Sequence, residues 1–156
     1  MKNILFTLFF GVLFSFGSMA QERIVWHTNM NKALELAQRE DKKMMLFFTG
    51  SDWCGWCIKL QKEVFKTSDF EKWSEDVVLV ELDFPKRTEQ DQKIKEQNYQ
   101  LQRMFQVKGY PSVYFVNPKK MRDGKINLMT LGKTGYIKGG AKKWIREATT
   151  IVNRTI

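Results

Sequence analysis

The sequence predicts an α/β fold, and three observations carry the prediction. Short apolar runs of strand length alternate along the chain with segments whose apolar residues recur at helical spacing. A Cys-x-x-Cys pair, Cys54 and Cys57, falls where one such run gives way to one such segment. The chain has 156 residues, 43% hydrophobic and 13% aromatic, enough for one compact core and too little for two ordinary domains.

The amino end differs in kind from the rest. Lys2 precedes a nearly unbroken apolar run over 4–16, followed by Gly17-Ser18-Met19-Ala20 and the polar Gln21-Glu22. A charged region, an apolar region and a small-x-small site in that order are the pattern of a cleaved signal peptide. As a helix the apolar run would rise only about 20 Å against roughly 30 Å of bilayer hydrocarbon, which favours cleavage over anchoring. No Cys lies near the cut, so lipid attachment there is not expected. The expectation is a signal peptide over 1–20 and a single domain over 21–156. That domain is expected to be exported and not membrane-embedded, and periplasmic if the source is a bacterium with two membranes.

Within the domain, residues 31–40 place Ala33, Leu34 and Ala37 on one side and read as a first helix. Residues 42–50 run from charged to continuously apolar and stop at Gly50, which reads as a short buried strand. After the cysteines, Ile58, Leu60, Val64 and Phe65 interleave with Lys59, Gln61, Lys62 and Glu63 in an amphipathic helical pattern. Residues 77–83 read as the next strand, and 88–105 as a charged helix with Ile94, Leu101 and Phe105 inward. Residues 112–116 and 126–131 read as a hairpin, with Asn117-Pro118 and Asp123-Gly124 as turn signals. Ala141, Trp144, Ile145, Ala148 and Val152 stripe a terminal helix.

The cysteine count narrows the chemistry. Exported domains that rely on disulfides usually close long loops with several bridges. Here there are two Cys in all, and a bridge between Cys54 and Cys57 encloses almost no loop. A redox or a metal role remains. Zinc generally takes four ligands, and besides this pair the chain offers only His27 and carboxylates, so no metal site is expected. Ile58 directly after the second Cys excludes haem attachment. Cysteines this far apart at the opening of a helix share a face, within reach of a disulfide. The first sits among unpaired amides at the positive end of the helix dipole, which stabilises its thiolate. Cys54 is therefore expected to attack a substrate disulfide, and Cys57 to resolve the mixed disulfide that forms.

The run Phe47-Phe48-Thr49-Gly50-Ser51-Asp52-Trp53-Cys54-Gly55-Trp56-Cys57, followed some fifty residues later by Val107-Lys108-Gly109-Tyr110-Pro111-Ser112-Val113-Tyr114-Phe115, resembles the thioredoxin superfamily. More narrowly it is similar to exported thioredoxin-like proteins whose spacer ends in an aromatic residue. The resemblance runs from about residue 32 to near the carboxyl end. It implies a thioredoxin-like three-layer sandwich: a central mixed β-sheet with helices on both faces. It also implies a cis peptide at Pro111 and a main-chain contact between Tyr110 and an extended substrate segment. The substrate-binding residues it suggests are Trp53, Gly55, Trp56, Tyr110 and Pro111. Trp53 reads equally as part of an apolar collar for substrate or as packing. Trp56, inside the loop, reads as surface contact, because a large ring buried between active cysteines would hinder access. His27, beside Trp26, reads as a packing or surface residue.

Two departures bear on mechanism. Many members of this superfamily carry a buried acid six positions before the first Cys; here that position is Phe48. Glu81 or Asp83 on the following strand are the candidates to replace it, although charges at strand ends are usually solvated. The spacer Gly55-Trp56 lacks the His of strongly oxidising members, which points towards a reductant.

The net charge is +9, and loss of Lys2 with the leader leaves 25 basic against 17 acidic residues, or +8. Basic and acidic residues are interspersed, as in Glu89, Asp91 and Glu96 among Lys93, Lys95 and Arg103, the look of a solvated face and not of a nucleic-acid site. No nucleotide or flavin fingerprint is present, so the only cofactor expected is the redox-active disulfide itself. The expected function is thiol–disulfide exchange with protein thiols and disulfides, in the reductase direction, with electrons drawn from a membrane donor. The alternatives are a non-enzymatic peptide-binding or chaperone module and a metal carrier.

Overall fold

A computed structural model describes residues 24–154, so the expected signal peptide over 1–20 and the cut before Gln21 lie outside the described residues. The elements run β1 (Trp26–His27), α1 (Met30–Arg39), β2 (Lys43–Thr49), α2 (Gly55–Leu60), a π-helical turn (Gln61–Phe65), α3 (Ser68–Ser74), β3 (Val77–Asp83), α4 (Gln92–Met104), β4 (Ser112–Lys120), β5 (Ile126–Thr134) and α5 (Gly140–Val152).

The five strands form one sheet in the order β1-β3-β2-β4-β5. β1 and β2 run parallel to β3, whereas β4 is antiparallel to β2 and β5 to β4. The continuous apolar composition of β2 follows from its central place: Met44 to Thr49 are all buried because helices cover both faces. Met45 and Phe47 point to one face, Met44, Leu46 and Phe48 to the other. On the first face Leu60, Val64, Phe65, Phe70, Trp144, Ala148 and Ile151 bring in α2, its π-turn, α3 and α5. On the second, Met30, Ala33, Ala37 and Leu101 bring in α1 and α4. This is the expected mixed sheet with a helical layer on each face. Fully burying one such aliphatic or aromatic side chain contributes about 1.5–3 kcal/mol.

Local chemistry sets the ends of the elements. Asn29 caps α1 by accepting from the Lys32 amide at 3.0 Å, and Thr67 caps α3 through the Phe70 amide. At the other end of the sheet the Lys43 ammonium donates to the Val152 carbonyl, closing the carboxyl end of α5.

Several expectations are corrected. The charged helix starts at Gln92, not at 88, because Asp91 is its cap, accepting from the Lys93 and Ile94 amides. Ile94 and Phe105 are only half-buried, and Asn98 occupies the inner face beside Leu101. Asn117 and Pro118 lie within β4, and the hairpin turns further on, where Gly124 takes φ +82°. In α5 the buried stripe is Trp144, Ala148 and Ile151, with Val152 half-buried at the edge.

Candidate active site

The site forms where β2 and β3 end and β4 begins. The chain leaves β2 at Thr49 and turns so that the Gly50 carbonyl accepts from the amides of Trp53 (3.3 Å) and Cys54 (2.9 Å). This turn delivers Cys54 to the N-cap of α2 in extended conformation (φ −86°, ψ 100°). Cys54 and Cys57 are joined by a disulfide, with Cα atoms 5.2 Å apart. Cys54 is 6% exposed and Cys57 fully buried. The Cys54 sulfur accepts from the Cys57 amide at 3.2 Å, and its carbonyl from the amides of Cys57 and Ile58. A thiolate at Cys54 would keep that charge-assisted bond and the positive end of the helix. Cys57, a turn deeper, has no such access to solvent.

Two carboxylates fasten the redox loop to the segment after β3. Asp83 accepts from the Ser51 amide at 2.8 Å and from the Ser51 hydroxyl. Asp52 accepts from the backbone amides of Lys86 (3.0 Å), Arg87 (2.6 Å) and Thr88 (3.1 Å). The Lys86 amide above all, with those of Arg87 and Thr88, holds the Asp52 carboxyl below the usual carboxylate range against an opposing desolvation. Between these anchors the Trp53 indole N–H donates to the Phe84 carbonyl at 2.8 Å, and the Lys86 ammonium lies 3.9 Å from the Trp53 ring centre. Trp53 thus packs: it is half-buried, edge-on to Tyr110 with ring centroids 5.7 Å apart.

Trp56 is the exposed member of the pair, at 58%. Its ring lies 5.1 Å from that of Tyr136, and Lys59 sits 5.3 Å from both ring centres. Tyr136 in turn donates to Glu63 at 2.7 Å, which, ahead of burial, raises its phenol above the usual range. Gly55 is exposed beside Trp56. Just before β4 the Tyr110–Pro111 peptide is cis. The Tyr110 phenol, hydrogen-bonded to the Gln102 side-chain amide, is pushed up to about 12 by burial, with Tyr99 adding to it, and stays neutral. Tyr110, Pro111 and Ser112 line a cleft of about 690 Å³ together with Lys108 and Lys133.

The structure therefore brings Cys54, Cys57, Trp53, Gly55, Trp56, Tyr110 and Pro111 to one end of the sheet. It does not place Phe48 behind the cysteines. Phe48 belongs to the core on the α1/α4 face, whereas Phe47 shares the core of Cys54 and Cys57. Counting back six positions misses because the turn over residues 50–53 sets the offset between strand and cysteine. Phe47 pairs with Glu81 across the sheet, and burial first, then Asp83, raises the Glu81 carboxyl. Asp83 itself is occupied by Ser51 and the Phe84 amide. Asp52, Lys86, Tyr136 and Glu63 belong to the surroundings of the site without being legible as such in the sequence. Asp52 beside the Trp-Cys motif was the one available signal. His27 lies on β1, half-buried and away from the pair. Among the described residues no group of three or more His, Cys, Asp or Glu side chains is placed to hold a metal ion. Among them, too, no helix is long and apolar enough to cross a membrane.

Comparison with known proteins agrees with this geometry. The model of the family described as thioredoxin-like domain matches residues 30–137. Disulfide bond reductase DsbH of Chlamydia pneumoniae is 33% identical over 115 residues, covering 73% of this chain and 64% of that protein. Thioredoxin-related protein DsbJ of the same organism is 28% identical over 134 residues, covering 85% of this chain and 38% of that protein. The chain thus matches less than two thirds of the length of either relative. A solved structure of a DsbH oxidoreductase superposes with a TM-score of 0.74 at 27% identity, covering 99% of this chain and 96% of that one. A thioredoxin from Thermus thermophilus shares the fold with a TM-score of 0.60 at 19% identity, covering 83% of this chain and 88% of that one. The chain belongs to the thioredoxin superfamily.

Proposed function

We propose that the protein is a thiol–disulfide oxidoreductase of the cell envelope that exchanges with protein substrates through Cys54 and Cys57, in the reductase direction. The observation that carries this is the placing of Cys54 at the cap of α2, its sulfur accepting the Cys57 amide, over a fully buried Cys57. In the reduced protein the Cys54 thiolate attacks one sulfur of a substrate disulfide, forming a mixed disulfide and releasing the other substrate sulfur as thiolate. Cys57 loses its proton and attacks Cys54, so that the substrate leaves as a dithiol and the Cys54–Cys57 disulfide is restored. No cofactor beyond the two sulfurs enters. Trp56 with Tyr136, Gly55, and the Tyr110–Pro111 main chain form the surface that receives the substrate segment. A further donor, which we place in the membrane, returns two electrons to the disulfide.

Two observations support the reductase direction: the DsbH relative is named a disulfide bond reductase, and the spacer lacks a His. The signal-peptide pattern over 1–20 supports export. The test is a redox equilibrium of residues 21–156 against graded thiol–disulfide buffers, read by trapping of both thiols. A potential near or below about −270 mV is expected, and one near −120 mV would make the protein an oxidant.

A further inference from the structure

Charges of both signs alternate along α4, but the positive excess of the protein is not spread evenly. Residues 97–146 hold eleven Lys and Arg against one acidic residue, Asp123, whereas the rest of the chain holds 15 basic and 16 acidic residues. The surplus therefore belongs to the stretch that carries the end of α4, the Tyr110–Pro111 peptide, β4, β5 and the start of α5. Asp123 lies in the turn between β4 and β5 and is already paired with Lys125 at 3.5 Å. No other carboxylate in this stretch is there to answer its lysines.

The same stretch forms an open groove. Two adjoining cavities of about 690 and 390 Å³ share Phe105, Gln106, Tyr114 and Thr130. Lys108 and Lys133 line the first, Met104 and Leu128 the second, and no Asp or Glu lines either. Tyr114 is buried, Phe105 and Leu128 are half-buried, and Met104 is 64% exposed, so the groove offers an apolar surface beside its two cations. Lys108 and Lys133 are exposed, and among the described residues neither forms an ion pair. The Lys133 ammonium lies 5.7 Å from the ring centre of Tyr114, its cross-strand partner. Tyr110 and Pro111 also line the first cavity. Tyr110 packs against the cores on both faces of the sheet, and its ring meets that of Trp53, the neighbour of Cys54, at 5.7 Å. The groove thus begins at the residues assigned above to the substrate segment.

We propose that this groove binds an acidic segment flanking the disulfide of a protein substrate. Carboxylates of that segment meet Lys108 and Lys133, and its apolar side chains lie on Phe105, Leu128 and Met104. The assignment rests on the oxidoreductase reading above and adds a substrate class to it. Cations without a partner draw in opposite charge over about a Debye length, roughly 8–10 Å at moderate salt. Opposite charge across a docking surface speeds encounter, and like charge turns partners away. The basic groove therefore selects among disulfides that the two sulfurs alone would treat alike.

The experiment offers the reduced protein over 21–156 three synthetic peptides that share one disulfide-closed loop and carry flanks rich in Glu, in Ser or in Lys. Single-turnover reduction is followed by thiol trapping at low and at high salt. At low salt the Glu-flanked peptide is expected to react about tenfold faster than the Lys-flanked one, with the Ser-flanked peptide between them, and the ratio is expected to fall towards one at high salt. Lys108→Glu with Lys133→Glu is expected to bring the low-salt ratio to one or below. Lys142→Glu with Arg146→Glu, the same change of charge at exposed positions of α5, is expected to keep it. Equal rates for the three peptides, or an equal loss of preference in both double variants, overturns the proposal while leaving the oxidoreductase reading intact. So does a wild-type dimer in sizing chromatography that Lys108→Glu with Lys133→Glu takes apart, since the groove would then belong to a second copy of the chain. If none of the peptides is reduced, the oxidoreductase reading fails, and this assignment with it.

Discussion

Asp52 shows how one side chain can organise a site it does not enter. Its carboxylate gathers three consecutive backbone amides, 86 to 88, and so fixes the segment whose Lys86 lies on Trp53, next to Cys54. Because those bonds depress its pKa in the folded protein, Asp52 adds stability that is fully present above its unfolded pKa. That contribution is lost as pH falls through the lower folded value. Asp52→Ala is thus expected to lower stability at neutral pH, with the difference from wild type fading as the pH drops through the acid range. Urea unfolding across that range checks this, and a difference independent of pH would contradict it. The cysteines and the aromatic spacer were legible because their chemistry depends on local spacing. The role of Asp52 was not, since its partners lie 34–36 residues away along the chain.

At the scale of elements, the turn between β2 and α2 decides what the cysteines face. Trp53 folds back over Gly50, and a Cβ on Gly50 would run into the Trp53 indole. Gly50→Ala is therefore expected to displace Trp53 from Phe84, costing about 1–3 kcal/mol and shifting Trp fluorescence, where an exposed glycine such as Gly55 tolerates Ala. Equal behaviour of the two variants in unfolding would contradict this. β2, β3 and α5 were legible because each buries a continuous run or a strong stripe. β1, two residues long, was not, because no periodicity fits in so short a segment. α3 was also missed, at seven residues, although Thr67 followed by Ser68 and Asp69 is a helix-start signal. The π-turn had no signature at all: the amphipathic pattern of 58–65 is the same whether the last turn is α or π. An offset counted along the sequence holds only where the turn has a fixed length, which is why Phe47 and not Phe48 shares the core of the cysteines.

Over the whole molecule, the arrangement separates rigid support from exposed chemistry. One helical layer, packed by Trp144, Phe70 and Phe65, holds Cys57 in a buried apolar core. The end of the sheet carries the nearly buried Cys54 beneath the exposed Trp56 and the half-buried Tyr110, with Lys59 on the Trp56 ring and Lys86 on the Trp53 ring. The claim on which this account turns is the division of labour between the two sulfurs: Cys54 attacks and Cys57 resolves. The most direct measurement replaces each cysteine singly by Ser in the protein over 21–156 and offers it a disulfide-bonded protein substrate, followed by non-reducing electrophoresis. Cys57→Ser is predicted to accumulate a stable mixed disulfide through Cys54, released by dithiothreitol, and Cys54→Ser to accumulate none. A mixed disulfide through Cys57 instead, or none in either variant, would contradict the account.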